Sequence, residues 1–516
     1  MIATELKGRR KIYTDEKTIN EDNVIQVLQD SLIIHMQNVA EIKYLLDYEK
    51  GNQPLTREKT VRKDIDIKVC DNVANEVTEF KLGYVWGNPI TMVQRGDNDI
   101  SGSNASIDDN AIAMFNEMLD FECAGAKDQE MARYIEITGI GYRMIDIKSD
   151  YSPEMHISAF DYITLNPLFT FIVYTNDALR QPIMGCTYRR EQKSGNCYYT
   201  CFTKEMRYEI KNEVTIVNGN ESKNKFSFNS RNGEKNPLGM IPIIEYIRSY
   251  DRMGCFERQI SDMNNLNILV SDFTNDVAQN TQAIWWGNDI EIPKDKDGND
   301  EIRSGMWIIT KTGNATSAKP DIKPLMGEFN YEGVLSNIKY RREVILQKCN
   351  VPLRSEPGGG STGSAMSMSS GWSAAEVSAC KEEQMIRQGK MQEIKLILAA
   401  IKKAPKFPQD SPLLELKMSD IKPRIIRNKT YDMATKANTF ATYIKNGIHG
   451  RHALEVIDAF ADPQQTWVDS KDVIDTYQQS IISNPGKAEV SDRDSDRVMS
   501  DMSDQNDNSP IVVSGN

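Results

Sequence analysis

A chain of 516 residues, 39% hydrophobic and 26% charged, has room for several domains and the composition of a soluble protein on the polar side. Its longest apolar runs, such as LILAAI at 396–401, are far too short to span a bilayer, so no membrane partner is expected. A net charge of −12 argues against a protein that reads or coats DNA through a basic face.

The N-terminus, MIATELKGRRKIYTDEK, is basic with no apolar core behind it, which predicts folding in a cytoplasm. Val24, Leu28, Leu32, Met36, Val39, Ile42 and Leu46 recur at spacings of three and four and predict a helix over 21–50, stopped by Gly51. A second helix is predicted over 66–83, a polar loop over 94–108 and a short helix over 109–130. From 132 to 215 the texture changes: RYIEITGIGYRMIDIKS, MHISAFDYITLNP, FTFIVYTND and IMGCTYRR read as a run of β-strands. Residues 216–240 read as further hairpin or loop, and GMIPIIEYI at 239–247 as a short strand.

Neither Gly nor Pro falls between Cys255 and Trp286, and Phe256, Ile260, Met263, Leu266, Val270, Phe273 and Val277 form a stripe at helical spacing. A helix over 255–285 would be a rod of about 45 Å. Its other face carries Asp262, Asp272, Asp276 and a string of asparagines. A strand, the charged turn KDKDGNDE and a second strand follow, with Trp285, Trp286 and Trp307 read as core. A helix over 329–349 has Leu335, Ile338, Ile345 and Cys349 on its apolar side and the basic run KYRR at 339–342. The segment SEPGGGSTGSAMSMSSGW at 355–372 then leads into a helix over 373–403, ended by Pro405 and Pro408. A smaller helical region covers 430–480, and the polar tail from 484 is predicted disordered.

Motifs that would carry chemistry fail on inspection. Gly358 and Gly363 have Walker spacing, but Ser364 and Ala365 stand where Lys and Ser/Thr are needed. Gly486–Lys487 lacks the upstream glycine. A calcium loop starting at Asp295 would need Gly and Glu where Asp300 and Met306 stand. Cys197 and Cys201 lie close, but no second pair or histidine cluster completes a zinc site, so reduced thiols, no metal and no cofactor are expected. The glycine-rich segment is left as a linker or a loop that moves against something. Helices bracketing a small insert suggest a stalk with a head, whose narrow apolar stripes call for neighbouring copies.

Five stretches, in order from about 40 to 480, together resemble the portal, or head-to-tail connector, family of tailed double-stranded-DNA bacteriophages. They are YLLDYEKGNQPL with the Gly83, Tyr84, Gly87, Pro89 turn; ITGIGYRMIDI with FDYITLNPLFTFIVY; NPLGMIPIIEYIRS entering ERQISDMNNLNILVSDFTNDV; the glycine–serine–alanine loop; and ANTFATYIKNGIHGRHALEVIDAFADPQQTW. The last departs from the family's usual serine at His449 or Gly450, and the loop is longer and richer in glycine than the family's.

The resemblance implies an α+β portal fold. An N-terminal arm (1–20) would precede a wing (21–247, β-rich over 132–247), stem helices at 248–285 and 327–350 and a small α/β clip at 286–326. A tunnel loop (351–371), a long wing helix (372–403), a helical crown (404–483) and an acidic tail (484–516) would follow. It implies a dodecamer at a capsid vertex of the virion, assembled in the host cytoplasm, through which double-stranded DNA passes without sequence recognition. Expected partners are the terminase large subunit, a head-completion adaptor, scaffold and the major capsid protein; no catalytic residues are implied.

The tunnel loop would present Gly358, Gly359, Gly360, Ser361, Thr362, Gly363, Ser364, Met366 and Met368 to DNA. No charged side chain falls between Gly358 and Gly371, as suits a loop that neither grips nor repels phosphates. Asp262, Asp272, Asp276, Lys339 and Arg342 are candidates for lining the channel, with KYRR able to pair with the acids between subunits. Lys294, Asp295, Lys296, Asp297, Asp300 and Glu301 are candidates for docking the motor. A DNA-processing enzyme of the packaging machinery, or a capsid or tail component without a channel, stay open as alternatives.

Overall fold

The computed structural model describes residues 8–55, 65–94, 109–217, 221–229, 233–281, 284–290, 307–310, 320–325, 331–353, 371–427, 433–457, 460, 466–467 and 470. They fall into two compact units, Met1–Lys429 and Thr430–Asn516.

The first unit is α+β and holds a seven-stranded sheet. Its strand order is β1 (Ile12–Thr14), β5 (Thr170–Thr175), β6 (Pro182–Arg190), β7 (Cys197–Phe202), β8 (Met206–Val217), β10 (Glu234–Lys235), with β9 (Glu221–Phe228) also on β8. Alternation along the strands puts Phe171, Val173, Met184, Cys186, Cys201 and Ile210 in one core cluster, where Val24, Val27, Leu28 and Leu32 of α1 (Val24–Glu49) join them. The expected α1 stripe fails at Met36, which is 46% exposed; His35 and Asn38 are buried instead. Their partners explain it. His35 packs against Phe171 at 4.5 Å, and Asn38 bonds both main-chain groups of Arg10, each at 2.9 Å. Burial lowers the His35 imidazole to about 4, so the ring enters this core neutral.

A second, antiparallel sheet has the order β11 (Ile243–Ile247), β3 (Ile140–Ile147), β4 (Phe160–Leu165). It packs against α4 (Ala124–Thr138) and α7 (Trp372–Lys403). The strand run expected from 132 therefore begins later. Residues 133–138 continue α4, because Met131, Ala132, Ile135 and Thr138 are buried at helical spacing and Gly139, at φ +81°, stops the helix. Two helices, α3 (Asp109–Phe121) and α4, replace the one expected over 109–130; Cys123, at φ 52°, breaks them. The helix expected over 66–83 is α2 (Val73–Val85), and residues 65–72 are extended.

Four charges are buried between these elements. Lys390 of α7 lies 2.8 Å from Asp128 of α4 and 2.9 Å from Glu393. Arg143 of β3 lies 2.6 Å from Asp128 and 3.3 Å from Glu393. The Tyr162 hydroxyl from β4 reaches both carboxylates, at 2.9 and 2.8 Å. Two cations and two anions cancel, and the hydroxyl lies between the two carboxylates on oxygens that the cations also bond.

Residues 404–427 also belong here: Ala404, Phe407, Leu413, Leu416 and Ile421 join the α7 core, and β15 (Ile421–Arg424) pairs with β2 (Thr91–Gln94). The compact second unit thus starts at Thr430 rather than at the 404 expected for a crown. Within it, α8 (Met433–Lys445) and α9 (Gly450–Ile457) occupy the helical region expected over 430–480.

Beside the buried charges, Gly389 lies flat on Tyr246: a Cβ there would come within 2.2 Å of the ring. Gly→Ala in a free helix gains about 1 kcal/mol, but overpacking a closed core costs about 1–3 kcal/mol. Gly389→Ala should therefore lower the urea midpoint of unfolding; a raised midpoint would show that Tyr246 yields.

Candidate functional site: the paired helices and their strap

Helices α5 (Ile260–Thr281) and α6 (Tyr331–Lys348) run antiparallel. Lys348 bonds Asp262 at 2.6 Å near one end, and the rings of Phe273 and Tyr331 meet at 6.2 Å toward the other. A groove of about 320 Å³ between them is lined by Leu269, Gly333, Val334, Asn337 and Ile338. The expected long helix over 255–285 begins only at Ile260, after a short 3₁₀ turn. At the base of the pair Phe256, Ile260, Met263, Leu266, Ile345 and Cys349 are buried with Tyr48 and Val77. Further along, burial runs out: Val277 is 38% exposed and Leu335 41%.

Beyond the pair lies a three-stranded sheet of β12 (Ile284–Asn288), β13 (Trp307–Thr310) and β14 (Asp321–Leu325). β12 pairs with β14 antiparallel but with β13 in parallel, Trp286 opposite Ile308. The charged run KDKDGNDE, expected as a hairpin turn, lies outside the described residues; the two strands that flank it, β12 and β13, are parallel and so do not form a hairpin with each other. The register puts Ile309 and Ile322 on one face and Ile308 on the other, and all three are exposed. Trp285 and Trp286, expected as core, are half-buried in the single chain.

Helix α5 divides into three faces at 100° per residue. One faces α6. A second holds residues 65–71, which lie extended along the helix like a strap. Asn275 bonds both main-chain groups of Ile67, at 2.8 and 3.1 Å. Ser271 bonds both of Val69, at 3.0 and 3.2 Å, and Asn267 accepts from the Asp71 amide at 2.9 Å. Four helical residues rise about 6.0 Å and two extended residues about 6.6 Å, so positions i, i+4 and i+8 meet every second strap residue. The string of asparagines on α5 is thus in part a surrogate strand. Asp276 lies on the third, partly exposed face, and Asp272, one turn before it, sits between that face and the strap, lining a small pocket with Asp66, Ile67 and Lys68.

The strap also captures α6. Arg342 donates to Asp71 at 3.2 and 3.0 Å and pairs with Glu76 of α2. Burial pushes the Asp71 carboxyl up, and Arg342 opposes it.

The family model for the phage portal protein, SPP1 Gp6-like, matches residues 32–480. The chain belongs to that family. No curated protein matches it.

In this portal-family chain the sequence-chosen residues do not all converge. Asp262 is tied to Lys348, and Arg342 is tied to Asp71 and Glu76 within the chain, not left to meet stem acids of a neighbour. Lys339 is exposed on α6 beside Glu332 and Glu343, so the face is mixed in charge rather than basic. The loop candidates Gly358, Gly359, Gly360, Ser361, Thr362, Gly363, Ser364, Met366 and Met368 lie outside the described residues. So do the turn candidates Lys294, Asp295, Lys296, Asp297, Asp300 and Glu301. Among the described residues there is no group of three or more His, Cys, Asp or Glu placed to hold a metal, and no helix long and apolar enough to cross a membrane. The sequence reading missed Asn267, Ser271 and Asn275, although their spacing of four was a usable signal.

Removing a rung orphans main-chain groups, at about 1–3 kcal/mol each when buried. Asn275→Leu should destabilise by that order and speed amide exchange at Ile67 and Val69. Asp276→Asn, on the third face, should stay within about 0.5 kcal/mol of the parent. Equal effects from both would mean the rungs contribute nothing.

Proposed function

We propose that this portal protein assembles as a dodecameric ring at the capsid vertex and forms the channel through which double-stranded DNA is packaged and later ejected. In this reading α5 and α6 form the stem and the sheet beyond them the clip, where the terminase large subunit and then the head-completion adaptor dock, with Lys294 to Glu301 in the contact. The loop over 351–371 faces DNA, and the unit beginning at Thr430 forms the crown. Asp272 and Asp276 stand on the channel side, where carboxylates facing phosphate prevent sticking. Scaffold and the major capsid protein place the ring in the shell. The role is structural, and the motor that docks on the ring supplies the hydrolysis.

The observation that supports the ring is the way burial runs out along the helix pair. Val277 and Leu335 on the helix pair, and Ile308, Ile309 and Ile322 on the two faces of the sheet, are 38–52% exposed in the single chain. Apolar surface of this extent marks an interface. A head-to-tail neighbour would cover it, and such contacts close into a ring when the rotation permits.

Electron microscopy with mass determination tests this. Rings with a central hole and a mass near twelve copies are expected, and Ile322→Glu should abolish them while leaving the far-UV circular dichroism unchanged. A compact dimer or a filament would refute the ring.

A further inference from the structure

The first half of α7 is seated differently from the second. Between Trp372 and Ile386 the helix buries only Ala375, Ala379, Glu382 and Ile386, whereas beyond it buries Ile394, Leu396, Ile397, Leu398 and Ile401. The apolar anchorage of the first half is small, and polar contacts hold it. Tyr84 donates to Glu376 at 2.5 Å, and Lys81 to Ser378 at 3.4 Å. Arg427 binds Glu376 and Glu383 at 2.5 and 2.7 Å.

At the centre of this seat two carboxyl groups touch. Glu382 is 3% exposed, and Glu136 of α4, at 0%, is within hydrogen-bonding reach of it. Arg248, just after β11, bonds Glu136 at 3.0 Å but stands 3.7 Å from Glu382, too far for a hydrogen bond. Lys81 of α2 donates to Ser378 and hydrogen-bonds neither carboxyl, though its charge acts on both and opposes the rise at Glu382. The remaining titratable neighbours are the thiols of Cys255, before α5, and Cys349, after α6. No donor reaches either oxygen of Glu382 or Oε1 of Glu136. One proton placed between the two carboxyls would satisfy both, and two like charges in contact in a dry site cannot both ionise.

We propose that Glu136 and Glu382 share one proton and form a pH-operated latch that holds the first half of α7 against α2, α4 and the end of β11. Burial, and then the charge of Glu136, hold the Glu382 carboxyl well above its ordinary value of 4.5. Burial alone would raise Glu136 too, but the hydrogen bond from Glu382 and the charge of Arg248 outweigh it and keep that carboxyl low. While α7 is seated, Glu382 keeps its proton; unseated into water, it loses it at any pH above its ordinary value. Unseating therefore releases one proton. A raised folded-state value means stability that is complete in acid and lost as pH rises, so the latch is closed at low pH and loosens upward. One proton makes the opening equilibrium rise about tenfold per pH unit until the seated carboxyl itself ionises.

Hydrogen exchange followed by mass spectrometry on the full chain, between about pH 5 and 8 and corrected for intrinsic exchange, tests the latch within its linkage window. Amides of residues 375–386 should open about tenfold faster per pH unit relative to those of 394–401. Glu382→Gln keeps the hydrogen bond without the charge and should stay protected with no slope. Glu376→Gln, which leaves the pair intact, should keep the parent slope. A flat parent profile, as an ionised Glu382 paired with Arg248 would give, overturns the proposal even if Glu382→Gln fails to fold. A slope that survives in Glu382→Gln overturns it as well.

Discussion

An extended stretch of backbone that leaves a sheet still carries an N–H and a C=O at every residue, and burying them unpaired is costly. In this chain helical carboxamides meet that demand. Asn38 of α1 bonds both groups of Arg10, Asn116 of α3 both groups of Met92, and Asn275 of α5 both groups of Ile67. A primary amide offers a donor and an acceptor side by side, as a neighbouring strand would. These three residues fix the N-terminal arm, β2 and the strap to three different helices. Apolar packing alone would leave each of those segments free to slip along its helix.

The centre of the first unit is organised by charge. Arg143, Lys390, Asp128 and Glu393 join α4, β3 and α7, and their pairing is worth little as net stability but much as geometry. Shifting α7 by a residue would strand charges that have no water to turn to. The seat of its first half at Glu382 lacks that pairing, because Arg248 hydrogen-bonds Glu136 and no donor reaches the oxygens of Glu382. One helix is therefore fixed at one end and conditional at the other.

The stalk repeats this contrast between a closed base and an open end. At the base, α5 and α6 are buried with α1 and α2; Arg342 and the strap tie α2, α5 and α6 together, and the Tyr48 hydroxyl of α1 bonds Asn264 of α5. Toward the three-stranded sheet the same helices expose Val277 and Leu335. A single copy can bury only one side of so thin an element, because a two-helix hairpin with a small sheet has no interior of its own. Neighbouring copies supply the missing cover in the proposed ring.

The sequence by itself determined the helices that are amphipathic along their length. The three-four spacing marked α1 and the stretch holding α5, and Pro405 marked the end of α7. It also determined the strand-rich middle, through its β-branched and aromatic residues, and enough ordered motifs to point to the family. It could not separate the helical RYIEIT from the strand that follows, since isoleucines suit both and only contacts of Ile135 and Thr138 decide. Nor could it show that Arg342 turns inward, that Asn267, Ser271 and Asn275 hold a strap, or that β12 and β13 run parallel. Those facts pair residues roughly 20 to 270 positions apart, and a polar side chain carries no mark of its distant partner. Periodicity records which side of an element is buried, and only the tertiary structure decides against what.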